Sequence, residues 1–170
     1  MNDVLNLLKS RRSIRKYKQQ PIEEEKIEKC LEAARWAPSA MNRQPWEFII
    51  VKNENTRKKL SNLHPYGKFL AKSPVVFIPL SNPILHDKYH LSDTALATLQ
   101  YMLQAHSLGL GTCWAGVYKT PFEQDIKEML GIPNHLHVVG LVATGYPDEN
   151  PTRTRRKLET IIHHEKYQHK

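Results

Sequence analysis

Only two cysteines, Cys30 and Cys113, occur in the 170 residues, which excludes a disulfide framework. Apolar runs are short, and none approaches the roughly 18 residues that a membrane span needs. The opening MNDVLNLLKS lacks a basic flank followed by an apolar core of signal-peptide length, so the expected location is the cytoplasm. Internal repeats and low-complexity tracts are missing. GLGTCWAG (109–116) is the nearest approach to a dinucleotide fingerprint, but it neither matches G-x-G-x-x-G nor follows a strand, which excludes a Rossmann site. Histidines at 86 and 90 and at 135 and 137 have metal-compatible spacing without cysteine partners or an HExxH pattern, so no metal centre is expected.

What the chain has is positive charge. Against 17 Asp+Glu stand 25 Lys+Arg, a formal net charge of +8. That excess suits nucleic acid, an anionic surface or a phosphorylated ligand without choosing among them. The length fits one domain over residues 1–170 that buries about two thirds of its unfolded surface.

Periodicity predicts a mixed α+β domain. A short helix is expected over Asp3 to Lys9, capped by Asn2 or Asp3, with Val4, Leu5, Leu7 and Leu8 on its buried side. Ile27, Cys30, Leu31 and Ala34 mark one face of a helix over Glu23 to Ala37, which stops before Pro38. Trp46 to Val51, Val75 to Leu80 and His137 to Thr144 read as core strands. Asp93 to Leu108 is apolar on nearly every face and ends at Gly109, so it is expected between the sheet and a second subunit. Thr120-Pro121-Phe122-Glu123 reads as a helix start with Thr120 as N-cap, closed by Gly131. Residues 151–170 are polar and basic, with Leu158, Ile161 and Ile162 as their only apolar anchors. They form either a disordered tail or a segment lying on a surface and adding a strand.

Two stretches carry the chemistry. In RRSIRKY (11–17) an extended backbone sets Arg11, Ser13 and Arg15 on one side. Guanidinium forks and a hydroxyl are the donors a terminal phosphate requires, although a solvated basic loop has the same composition. In APSAMNRQPWEF (37–48) a helix ends in small and amide residues. A flat ligand could approach the Ser39–Ala40 backbone there, with Asn42 and Gln44 offering donors and acceptors to a heterocycle edge. Cys113 lies among apolar residues and reads as packing.

RRSIRKY, AARWAPSAMNRQPWEF, LGLGTCWAG, the strand leading to GYP, and the closing RTRRKLETIIHHE come in an order that resembles the nitroreductase family of flavin enzymes, from about Leu7 to Glu165. The resemblance implies a three-layer α/β/α sandwich around a mostly antiparallel sheet, in an intertwined homodimer whose segment 151–170 embraces the partner. It implies FMN as cofactor: Arg11, Arg12, Ser13 and Arg15 around the phosphate, ribityl chain and pyrimidine edge, with Arg153 and Arg155 joining them. Pro38, Ser39, Ala40, Asn42 and Gln44 would reach the flavin from the other subunit, and Ala115 and Gly116 would turn backbone N–H groups to N5. Lys68 stands where larger members carry a lysine near the ring, whereas a proline occupies the neighbouring asparagine position. The helical insertion that lids larger members is missing.

The expected activity is transfer of electrons from NAD(P)H through FMN to a nitroaromatic, quinone or similar acceptor by a ping-pong mechanism. No side chain is needed as a general base. Arg15 and Lys68 are the candidates for stabilising charge on the reduced ring. Alternatives are reductive dehalogenation or flavin fragmentation on the same scaffold, or a nucleic-acid-binding module using Arg11, Arg12, Arg153 to Lys157 and Trp46.

Overall fold

β2 (Val75–Ser81) is buried along its whole length and divides the core in two. In this computed structural model, which describes residues 4–168, Val76, Ile78 and Leu80 of β2 enter one apolar cluster while Val75 and Phe77 enter another. The two-residue repeat of a strand makes that division. The first cluster packs α3 (Glu54–Leu63) and α5 (Glu123–Leu130) on one face of the sheet through Leu60 and Ile126. The second packs α2 (Glu24–Arg35) and α4 (His90–Ser107) on the other, through Ile27, Cys30 and Ala34 and through Ala97, Tyr101 and Ala105. Helices cover both faces of the sheet, so the domain has three layers. Phe77 and Tyr101 stack at 4.0 Å between ring centroids, joining sheet to helix.

The strand order is β1-β2-β5-β3, where β5 is Gly140–Gly145, with β4 (His137–Val138) pairing β2 outside that path, and every ladder is antiparallel. β1 (Trp46–Val51) and β3 (Gly111–Gly116) are therefore the edges. Against β3 lies the segment 11–17: Ser13 forms a parallel bridge with Thr112, and the Ile14 N–H donates to the Thr112 carbonyl at 2.9 Å. α4 ends as the sequence predicts. Gly109 takes φ 78°, the Leu110 N–H reaches the Ala105 carbonyl at 2.9 Å, and the Gly109 N–H reaches that of His106 at 3.0 Å, a complete Schellman cap. No helix among the described residues is long and apolar enough to cross a membrane.

Four expectations change, while α4 keeps open the face expected to meet a second subunit. The single strand expected over His137 to Thr144 is two, β4 (His137–Val138) and β5 (Gly140–Gly145). Between the Phe77–Val142 and Leu80–Val138 pairs, Ile78 and Pro79 of β2 face three residues, 139–141. Pro79 has no N–H to give the ladder, and a bulge is where an interior strand tolerates that loss. α5 starts at Glu123 rather than at a Thr120 cap: the Thr120 hydroxyl donates to the Val117 carbonyl instead, at 2.6 Å. The Glu123 carboxylate is buried and accepts the N–H groups of Lys119 at 2.7 Å and Val138 at 3.0 Å, so it ties the helix to β4. α1 (Val4–Ser10) buries nothing in a single chain, with Val4 68%, Leu5 52% and Leu8 47% exposed. Its expected caps, Asn2 and Asp3, lie outside the described residues. α4 is covered on one side only, leaving Leu96 and Leu99 exposed. Residues 151–168 contain no strand, only a short 3-10 turn at Leu158–Thr160.

Candidate functional site

The outer edge of β3 and the cationic segment that bridges it form the candidate site. Thr112 turns its carbonyl outward to Ile14, and the Gly116 carbonyl is likewise met from outside, by His64 Nε2 at 3.0 Å. Backbone groups alternate sides along a strand, so Gly116 also turns its N–H to that edge. The next N–H, that of Val117, points inward to the Val139 carbonyl at 3.4 Å. Gly116 is exposed, and a Cβ built on it would meet nothing within 4 Å, whereas one on Gly140 would meet the Trp114 ring at 2.1 Å. Ala115 is buried beneath this edge.

Arg11 is the telling cation. Its Nη1 is buried and has no hydrogen-bond partner among the described residues. Burial, then Arg155 and Arg12, push the Arg11 guanidinium below its ordinary pKa, with an opposite pull from Cys113. A buried donor beside two further cations is costly unless an anion meets it. Arg12 is committed differently: its Nη1 donates to the carbonyls of Lys9 at 2.5 Å and Arg11 at 2.8 Å, capping α1. Arg12 nevertheless borders a hollow of about 340 Å³ with Leu8, Lys9, Arg153 and Arg155. The structure therefore brings Arg153 and Arg155 to the N-terminal cluster across a long stretch of sequence.

Arg15 projects outward with its guanidinium 5.9 Å from the Phe69 ring, while its N–H and that of Lys16 donate to Glu149 at 2.5 and 3.1 Å. Ser13 lies against Cys113, whose thiol is pushed up by burial more than Arg15, Arg11 and Ser13 pull it down. Burial likewise raises the Cys30 thiol to about 12. Both cysteines are packing groups rather than nucleophiles. The turn 64–69 carries His64 to Gly116 and Phe69 to Arg15, with Lys68 exposed between them.

The 38–44 loop has a fixed shape. Met41, Asn42 and Gln44 have φ of 53°, 55° and 49°, left-handed values that non-glycine residues seldom adopt. The Ala40 N–H is occupied by Asp93 Oδ2 at 3.0 Å, so the Ser39–Ala40 backbone is less open to a ligand than the sequence suggests. Ser39 Oγ accepts the Gln44 N–H at 2.9 Å, and Gln44 Nε2 reaches the Asn42 carbonyl at 3.2 Å. These contacts leave Pro38, Asn42 and Gln44 exposed.

Sequence reasoning misses four contributors. Glu149, Asp93, His64 and His106 are single residues outside any motif, and each matters only through a contact made by the fold. His106 Nε2 lies 2.8 Å from Ser10 Oγ, and burial followed by Arg11 and Arg12 keeps its pKa below the ordinary histidine value. Among the described residues no group of three or more His, Cys, Asp or Glu could hold a metal ion.

The fold is an α+β sandwich in which the buried, unpartnered Arg11 Nη1 and its neighbouring cations lie along the β3 edge that carries the Gly116 N–H, a donor set suited to an anionic group. Residues 8–64 and 62–146 match the profile of the nitroreductase family. A protein of Methanothermobacter thermautotrophicus (strain Delta H), provisionally named NADH dehydrogenase/NAD(P)H nitroreductase, is 40% identical over 154 residues, 88% of this chain and 80% of its own. The FMN reductase [NAD(P)H] of Bacillus subtilis (strain 168) is 28% identical over 98% of this chain and 75% of its own. The solved structure of an FMN-dependent nitroreductase from Clostridium difficile R20291 superposes with a TM-score of 0.90 at 32% identity, covering 96% of this chain and 99% of its own. The chain belongs to the nitroreductase family. The profile match ends before Arg153 and Arg155, whose place beside Arg11 and Arg12 comes from the fold.

Proposed function

We propose that the protein is an FMN-dependent oxidoreductase that takes electrons from NAD(P)H and passes them to a nitroaromatic, quinone or similar acceptor. The buried Arg11 Nη1 without a partner carries this reading, because a phosphate monoester supplies the charge and acceptor atoms that it lacks. Arg11, Ser13, Arg153 and Arg155 hold the phosphate, and the Gly116 N–H addresses the edge of the ring. Arg15 and Lys68 hold positive charge near the pyrimidine side. FMN, when bound, supplies the hydride and electron chemistry; the chain binds it, orients it and keeps cations near it.

The active form in this reading is a homodimer. A single chain exposes apolar residues on α1, on α4 (Leu96 and Leu99) and on the tail (Leu158, Ile161 and Ile162), more than a monomer ordinarily leaves to water. Among the described residues β1 is an unpaired edge beside a groove of about 530 Å³ lined by Leu31, Trp46, Phe48 and Ile50 and bordered by Glu28, Glu32 and Arg35. The partner's 151–170 segment fits there, and the partner's Pro38–Gln44 loop completes the flavin site.

Two measurements test the activity. The purified protein is expected to be yellow and to release FMN, not FAD, on denaturation. Colourless protein that also fails to bind added FMN would sink the reading. With FMN bound, initial rates varied in NAD(P)H and acceptor are expected to give parallel double-reciprocal lines, since one site serves both substrates in turn. Intersecting lines would mean a separate nicotinamide site and a ternary complex.

A further inference from the structure

We infer that His64, which no motif marks, is a positioning residue for the ligand edge at Gly116. The inference rests on the FMN reading above. His64 is buried, and its two ring nitrogens have distinct tasks. Nδ1 accepts the Tyr66 N–H at 3.1 Å, so Nδ1 carries no proton, and Nε2–H donates to the Gly116 carbonyl at 3.0 Å. The ring is held edge-on to Phe122 at 4.8 Å between centroids. One imidazole thus links the turn 64–69, which places Arg15 through Phe69, to the end of β3.

Gly116 needs such a link. It is the last residue of an edge strand, has no Cβ, and a Cβ built on it would meet nothing within 4 Å. Glycine at a strand end has more backbone freedom than any other residue, and a donor aimed at a ligand loses value when its direction wanders. Inside, the Val117 N–H to the Val139 carbonyl fixes the following peptide, and outside, His64 fixes the Gly116 carbonyl. Engaging that carbonyl has a second effect. The edge then presents a donor, Gly116 N–H, while its acceptor is occupied, so it favours ring atoms that accept hydrogen bonds. Oxidised and reduced FMN differ in that respect at N5, and His64 therefore biases the affinity for the two forms differently.

The test uses full-length protein loaded with FMN. His64→Phe keeps a ring against Phe122 and removes both hydrogen bonds; His64→Gln retains an N–H donor on a side chain of similar reach. His64→Phe is expected to weaken FMN binding about fivefold, the value of one ordinary hydrogen bond. It is also expected to change the ratio of affinities for oxidised and reduced FMN about tenfold, read as about 30 mV in the two-electron midpoint potential. His64→Gln is expected to recover most of both. A merely structural role predicts a lower melting temperature with an unmoved potential, and that result overturns the inference. Should His64→Phe not fold, nitrogen NMR of wild-type His64 decides: protonated Nε2 with bare Nδ1, perturbed on adding FMN, is expected, and the opposite tautomer or an unmoved signal overturns it. Wild-type protein that binds no FMN removes the reading on which the inference rests, an outcome distinct from bound FMN that ignores His64.

Discussion

Replacing Arg11 with alanine is expected to weaken FMN binding about ten- to a hundredfold, while Arg12→Ala weakens it less than about threefold. Both residues belong to the same motif and have the same side chain, so composition predicts equal effects. The fold separates them. Arg11 Nη1 is buried without a partner, and a charge-assisted hydrogen bond made there is worth about 1.5–3 kcal/mol. Arg12 already spends its Nη1 on the carbonyls of Lys9 and Arg11. Its remaining influence is charge at a partly exposed position, which solvent screens. Arg12→Ala is expected instead to loosen the end of α1, which loses that cap. Titration of apo-protein with FMN, followed by quenching of flavin fluorescence, measures both affinities. An Arg12→Ala loss equal to or larger than that of Arg11→Ala would remove Arg11 as the anion contact.

In the proposed homodimer, ending the chain after Asn150 is expected to give monomers, lower the melting temperature and release FMN together. Leu158, Ile161 and Ile162 are 65%, 46% and 38% exposed in a single chain, so the apolar surface they leave open gains stability when a partner covers it. Fully burying each such side chain is worth at most about 1.5–3 kcal/mol, and the same cut removes Arg153 and Arg155 from the proposed phosphate site. A second variant separates the two losses: Leu158→Glu with Ile161→Glu keeps both arginines and puts negative charge against the Leu31, Trp46, Phe48 and Ile50 side chains of a groove that Glu28 and Glu32 already border. It is expected to be monomeric at concentrations where the wild type is dimeric, as measured by sedimentation velocity. A truncated chain that stays dimeric with unchanged FMN affinity and melting temperature would falsify the embracing tail and remove Arg153 and Arg155 from the site.

The elements that were legible in the chain share one property: their signal is local. β1 begins and ends where the run WEFIIV does, and α2 buries Ile27, Cys30 and Ala34 as their spacing requires. Gly109 and Gly131 both close helices in the left-handed conformation, a role that glycine fills without strain. The misreadings have a common cause as well. Thr120 and Glu123 have a capping-box spacing, yet Glu123 is drawn to the Val138 N–H, in a strand its sequence neighbourhood does not reveal. His137 to Thr144 is one apolar run, and its division into two strands is imposed by Pro79 on the neighbouring strand. Val4, Leu5 and Leu8 have the composition of a buried face, but in a single chain they stay largely exposed.

By itself the sequence determined the layered α+β class, the two chemical stretches RRSIRKY and APSAMNRQPWEF, and an excess of positive charge suited to an anion. Those depend on residue type and short-range periodicity, which a linear chain carries intact. The tertiary structure alone decided which arginine nitrogen is buried without a partner, that Arg153 and Arg155 join a cluster formed by the first fifteen residues, and that Ala40 is tied to Asp93 rather than free. It also decided that a lone histidine reaches the Gly116 carbonyl. A hydrogen bond or a buried charge is a property of two groups at a distance of a few ångströms, and that distance exists only after the chain has folded.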